Sequence, residues 1–146
     1  MISLTSGSFL GNRAWFEAVV GGKDVVLRHT SALECLNLFA GYMDEHRIDV
    51  YAKTTGEFEN IHYHVVDSFD EIDIVRFGSV QCASANQTFN DLLENYESID
   101  EMSLIEGLAE YYHTHGKSFE GLTIKPENIP QFNRIKDWVY DFYCWR

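Results

Sequence analysis

The chain reads as a single α+β domain over residues 1–146, with a mixed sheet of about four to five strands packed with about four to five helices. Three observations predict this. A short apolar run enters a Thr/Ser helix start at Val25-Val26-Leu27-Arg28-His29-Thr30-Ser31-Ala32-Leu33 and continues as an apolar stripe through Leu36-Asn37-Leu38. The same layout recurs where Val80-Gln81-Cys82-Ala83-Ser84 leads into Phe89-Asn90-Asp91-Leu92-Leu93. Between these junctions the apolar residues alternate with period two, and after the second they follow helical spacing, so the C-terminal half is mainly helical.

Each element has its own signal. Asn12 to Val20 predicts a short helix, with Asn12 as N-cap and Gly21 as the stop. A Gly21-Gly22-Lys23-Asp24 turn feeds a strand at Val25–Leu27. Ser31 and Glu34 stand at capping-box spacing, which predicts a helix starting near Thr30 or Ser31. Its inner face would comprise Ala32, Leu33, Leu36, Phe39, Ala40 and Met43, with Gly41 weakening the last turn. Strands are then expected around Ile48-Val50-Ala52, Ile61-Tyr63-Val65, Ile72-Ile74 and Ser79–Ala83. Thr54-Thr55-Gly56, Asp67-Ser68 and Phe77-Gly78-Ser79 punctuate them as turns.

Ser84 and Gln87 form a second capping-box pair, ahead of a stripe of Ala85, Phe89, Leu92, Leu93 and Tyr96. A further helix capped by Asp100 would bury Ile105, Leu108, Ala109 and Tyr112 and end at Gly116. Of Tyr111 and Tyr112, one ring should face in and one out. After a loop through Pro126 and Pro130, Phe132, Ile135, Trp138, Val139 and Phe142 mark a last amphipathic helix. The helices are expected largely on one face of the sheet, with their acidic sides outward.

Composition limits the function. Eleven Lys and Arg against 23 Asp and Glu give a net charge of -12, which argues against wrapping nucleic acid through its phosphates. No direct nucleic-acid binding is expected. Hydrophobic and aromatic fractions of 45% and 14% indicate a folded globule rather than a disordered chain. Cys35, Cys82 and Cys144 are widely separated and lack a C-x-x-C pair, which fits reduced thiols. The first residues do not pattern as a signal peptide, and no apolar run approaches bilayer length, so a cytoplasmic protein without membrane attachment is expected.

Candidate chemistry is sparse. The sequence lacks a phosphate-binding P-loop, a dinucleotide fingerprint and a nucleophile elbow; no catalytic residue and no cofactor are expected. His62 and His64, two apart on a strand, face the same side and can reach one metal, with His29, His46, Asp67 or Glu59 as further ligands. That gives an alternative reading as a small metal-dependent hydrolase or nuclease. The competing reading is a solvent-facing or hydrogen-bonded histidine pair.

Asp91, Glu94, Glu97, Asp100, Glu101, Glu106 and Glu110 form an acidic run without Lys or Arg. It is either a solvated helix face or a docking surface for a basic partner. The C-terminal aromatics Trp138, Tyr140, Phe142, Tyr143 and Trp145 fit mostly a core, while Tyr140, Tyr143 and Trp145 can form an association patch, which would make a homodimer. Cys35 falls on the inner half of its helix, where burial favours an inert thiol.

The order of these pieces resembles the C-terminal antitoxin domain of the abortive-infection AbiEi family, the protein antitoxins of type IV toxin–antitoxin systems. The family's strand entering a Ser-x-x-Ala-Leu helix start is matched by Leu27-Arg28-His29-Thr30-Ser31-Ala32-Leu33. Its β segment with a Thr-Thr turn is matched by Val50-Tyr51-Ala52-Lys53-Thr54-Thr55. Its Ser-capped helix with a Leu-Asp-Leu-Leu-like motif is matched by Ser84 and Asn90-Asp91-Leu92-Leu93. The similarity spans roughly residues 14–115, and its motifs are short and include no catalytic signature. The resemblance implies a non-enzymatic protein that counters a nucleotidyltransferase-like toxin. About two dozen residues precede Val25, which leaves no room for the winged helix-turn-helix such antitoxins usually carry, so DNA-binding autoregulation is not implied.

Overall fold

The computed structural model describes residues 11–39 and 47–142. The expected helix positions Ala40, Gly41 and Met43, and the aromatics Tyr143 and Trp145, lie outside the described residues. Helix α1 (Gly11–Val20) leads into strand β1 (Val25–Leu27), helix α2 (His29–Cys35) and strands β2 (Ile48–Ala52), β3 (Ile61–Val65), β4 (Ile74–Phe77) and β5 (Val80–Ala83). Helices α3 (Ala85–Glu94), α4 (Glu101–Thr114) and α5 (Ile129–Asp141) follow, with short 3-10 turns before α4 and α5. The α+β class and the mixed sheet are as the sequence predicts.

The five strands form one sheet in the order β3-β2-β1-β5-β4. β1 pairs antiparallel with β2 and parallel with β5; β2 and β3 run parallel, and β4 and β5 antiparallel. Gly78, with φ 62°, supplies the left-handed turn that lets Phe77 pair with Val80 across a two-residue loop. Central β1 is buried on both sides, because the consecutive residues Val26 and Leu27 face opposite ways and are both fully covered. Cover at the middle of the sheet is therefore not confined to one face.

Two hydrophobic clusters hold the domain. The first joins Trp15, Phe16 and Val20 of α1 to Leu27, Ile48, Val50, Val80 and Cys82 of the sheet. The second joins Phe89 and Leu92 to Leu104, Leu108, Ile135 and Val139. α2 belongs to both, giving Ala32 and Cys35 to the first and Leu33 to the second. Fully burying a Leu or Phe contributes about 1.5–3 kcal/mol, so this short helix is held by its neighbours rather than by its own hydrogen bonds.

Four local expectations are corrected. α2 is shorter than the apolar stripe suggested. Asn37 adopts φ 62°, its N–H bonds Glu34 O at 3.1 Å, and Leu38 N–H bonds Leu33 O at 2.9 Å. This is a Schellman stop with Asn in place of Gly, and Leu38 and Leu33 share the second cluster as its apolar contact. Second, Ser31 does not cap α2: Arg28 holds the N-cap position without a side-chain bond, and Ser31 Oγ instead accepts the N–H of Asp49 at 2.9 Å. Third, Tyr111 rather than Tyr112 is the buried ring of α4, because its hydroxyl finds an acceptor in the Glu120 carbonyl at 2.7 Å. Fourth, Pro130 opens α5 rather than breaking the loop, as its missing N–H costs nothing in a first turn, and Trp138 is exposed while Phe132, Ile135 and Val139 make the inner face.

Candidate functional site

The first junction carries an unusual concentration of polar groups. Arg28 leaves β1 with its N–H on the Asp49 carbonyl at 2.9 Å, extending the β1–β2 ladder, while its side chain folds inward and is 6% exposed. Its guanidinium lies over the Tyr51 ring, 4.8 Å from the centroid, and Nη2 is 2.8 Å from His29 Nε2. Arginine can only donate, so His29 Nε2 accepts and the ring carries its proton on Nδ1. Burial, then the Arg28 charge, push the His29 pKa down to about 3, which keeps the ring neutral. His29 also has φ 50°, a left-handed conformation that costs a non-glycine residue about 1 kcal/mol or more. Among the described residues, no carboxylate forms a salt bridge with Arg28, and Arg28 Nε has no hydrogen-bond partner.

Tyr51 links this junction to the second one. Its hydroxyl donates to Asp91 Oδ2, and Gln87 Nε2 donates to Asp91 Oδ1 at 3.0 Å. Burial, together with the bond to Asp91, raises the Tyr51 pKa and keeps the phenol protonated. Gln87 Oε1 in turn accepts Asp73 N–H at 3.0 Å, so the amide ties α3 to the segment leading into β4. Opposite Tyr51 in the β2–β3 register stands His64, whose ring meets the Tyr51 ring edge-on at 5.6 Å. Its pKa is lowered by burial first, then by Arg28 and His62.

A second hub adjoins it. Asp49 Oδ1 is 3.1 Å from His62 Nδ1 and 3.6 Å from Arg47 Nε. Glu34, 7% exposed, has its pKa raised to about 7 by burial and by the Asp49 charge. A buried carboxyl that holds its proton up to neutral pH sits beside an ionic pair at the rim.

The residues singled out from sequence separate into several environments. Asp91 differs from the other acids: it is buried rather than solvated, because Tyr51 and Gln87 satisfy both carboxylate oxygens. Glu94 and Glu97 are exposed, with Glu94 4.0 Å from Lys125. Asp100 caps α4 through Met102 N–H at 3.2 Å; Glu101 accepts the Tyr96 hydroxyl; Glu106 and Glu110 are half-buried. Tyr140 is exposed yet packs against the Tyr112 ring at 5.2 Å. His62 and His64 share a sheet face, as their spacing required, but His62 bonds Asp49 while His64 packs edge-on against the Tyr51 ring. Among the described residues no three His, Cys, Asp or Glu side chains converge as metal ligands, and no helix is long and apolar enough to cross a membrane.

Arg28, His29, Tyr51 and Gln87 were missed as a group. The available signal was Asp91 itself, a carboxylate one turn from Thr88 and next to Leu92 on a helix that buries Thr88, Phe89, Asn90, Leu92 and Leu93 beside it. Clefts of about 310 Å³, lined by residues including Lys23, Lys53, Phe58 and Tyr63, and about 280 Å³, lined by Glu101, Met102, Ile105, Trp138 and Phe142, lie away from the network. The network thus joins a protonated tyrosine, a neutral histidine and a doubly bonded carboxylate, and ties β2 to α3 and to the start of α2.

No protein-family model matches the chain, and no curated protein matches it. Three segments far apart in sequence meet in this one network: Arg28 and His29, Tyr51, and Asp91.

Proposed function

We propose that this protein is a non-enzymatic, antitoxin-like component of a type IV toxin–antitoxin or abortive-infection system, countering a nucleotidyltransferase-like toxin in the cytoplasm. The observation that carries this reading is the Arg28–Tyr51–Asp91 network, in which three separate motifs of the resemblance serve one structural purpose. Residues that lock strands to helices belong to a scaffold, and a scaffold whose polar core is spent on locking suits a partner-directed role. The exposed Glu94 and Glu97 supply the acidic surface through which a basic toxin would be met.

Co-expression with an adjacent nucleotidyltransferase-like gene tests the proposal. Growth should be restored by the intact chain and not by an Asp91→Ala variant, while the chain alone should leave growth unchanged. Unrelieved toxicity with every candidate neighbour would overturn it. A second reading, a module that self-associates through the C-terminal helices, is favoured by the groove between α4 and α5, where Met102 and Trp138 are both exposed. A concentration-independent monomer in sedimentation equilibrium would remove it.

A further inference from the structure

β2 and β3 run parallel yet are joined only by the segment 53–60, where parallel neighbours ordinarily need a longer crossover. Residues of that segment and of the turn before β1 line the cleft of about 310 Å³, close to the lower end of the range for small-ligand sites, about 300–1,000 Å³. One wall is apolar. Val25 and Ala52, paired across β1 and β2, and Tyr63 of β3 all line the cleft and pack with the first hydrophobic cluster. Gly56 helps shape this wall: a Cβ there would collide with the Tyr63 hydroxyl, so the ring stands directly against the loop backbone. Phe58 lines the same cleft and is 54% exposed, which leaves a second aromatic ring open to contact.

Four charged residues line the cleft, and they divide into two kinds. Lys53 Nζ is 3.3 Å from Asp24 Oδ2 and 4.8 Å from the centroid of Phe69, so this pair is matched within the protein. Lys23 donates to the Val19 carbonyl at 2.8 Å, and its Nζ lies 5.5 Å from the centroid of Phe58, the residue next to Glu57. Among the described residues, neither Lys23 nor Glu57 forms a salt bridge. A cation and an anion without ionic partners thus share one cleft with an apolar wall and an exposed ring.

We propose that this cleft binds a free aromatic amino acid, with its carboxylate toward Lys23, its ammonium toward Glu57 and its ring on the apolar wall beside Phe58. A free amino acid carries both charges on one carbon next to its side chain, so it answers all three features at once. An aromatic acid or an aromatic amine would leave one of the two protein charges unanswered. The proposal stands apart from the antitoxin reading, because no member of the Arg28–Tyr51–Asp91 network lines the cleft.

The test titrates the isotope-labelled full chain by NMR with phenylalanine, and with 3-phenylpropionate, phenethylamine and alanine, which lack the ammonium, the carboxylate and the ring respectively. Phenylalanine at about 10 mM, roughly tenfold above a Kd of about 1 mM, should shift the amides of Val25, Gly56, Phe58 and Tyr63 to saturation. The acid and the amine should each bind about threefold more weakly, the size of one exposed ion pair, and alanine should leave these amides in place. Lys23→Gln should weaken phenylalanine by about threefold and leave phenethylamine unchanged. Glu57→Gln should weaken phenylalanine by a similar factor and leave 3-phenylpropionate unchanged. Both residues are exposed, so the exchanges should preserve the fold. Three results would overturn the proposal: no saturable shift with phenylalanine, shifts centred on Met102 and Trp138 in the other cleft, or equal affinities for the three aromatic compounds.

Discussion

The two strand-to-helix junctions, Leu27 into α2 and Ala83 into α3, answer one need by different means. At the second, Ser84 accepts the Gln87 N–H at 3.1 Å in a conventional N-cap, and a ten-residue helix follows. At the first, the N-cap position holds a buried arginine, the next residue is in a left-handed conformation, and the serine is diverted to the β2 backbone. A junction that satisfies itself locally is plain architecture. One that gives up its own cap and borrows bonds from a neighbouring strand depends on the whole domain, and backbone strain of this kind persists only where surroundings enforce it.

The contrast can be broken most strongly at the residue that connects the two junctions. Asp91→Ala leaves the buried Tyr51 hydroxyl and the Gln87 amide without their acceptor, and should destabilise the domain by on the order of 3 kcal/mol. Urea denaturation at neutral pH measures this. Tyr51→Phe removes one of the two bonds and should cost about 1–3 kcal/mol by the same measurement.

A second effect depends on pH. Glu34 has a folded pKa near 7 against an ordinary 4.5, so folding takes up a proton. Its contribution is complete below pH 4.5 and is lost as pH rises through 7. Glu34→Gln should therefore stabilise the protein by up to about 3 kcal/mol at pH 8 and have little effect at pH 4, read from paired urea curves. His29 acts with the opposite sign. Its folded pKa near 3 against 6.5 means that its contribution is present above pH 6.5 and is lost as pH falls toward 3. The Glu34→Gln variant should thus keep the acid-side loss and lack the alkaline one, whereas parallel losses on both limbs would contradict these assignments.

The smallest effect compares the serines directly. Ser84→Ala removes a helix cap and should cost about 1 kcal/mol. Ser31→Ala removes an acceptor from a strand N–H, with a similar cost of about 1 kcal/mol but a different location. Amide hydrogen exchange should show faster exchange at Gln87 in the first variant and at Asp49 in the second. If Ser31→Ala loosened the start of α2 instead, the diverted bond would not be its main role.

Much of the architecture was legible because it is local. Period two marked the strands from Ile48 to Ala83, Ser84 and Asp100 marked helix starts, and Gly78 and Gly116 marked turns, each through a preference that acts over a few residues. The errors arose where a residue had two suitable roles. Ser31 can cap a helix or accept a strand N–H, and Asn37 can continue a helix or close a Schellman motif. Asp91 shares its residue type with the solvated acids after it, and nothing in its immediate neighbours names Tyr51 as the donor that makes burial tolerable.

Order along the chain, element type and most core positions thus follow from local patterning and apolar spacing, whose energies are set within a few residues. The pairing of Tyr51 with Asp91 and the stacking of Arg28 on Tyr51 join residues from different elements. Those contacts exist because strand order β3-β2-β1-β5-β4 and the docking of α2 and α3 bring distant segments to bonding range, a geometry that no short stretch encodes.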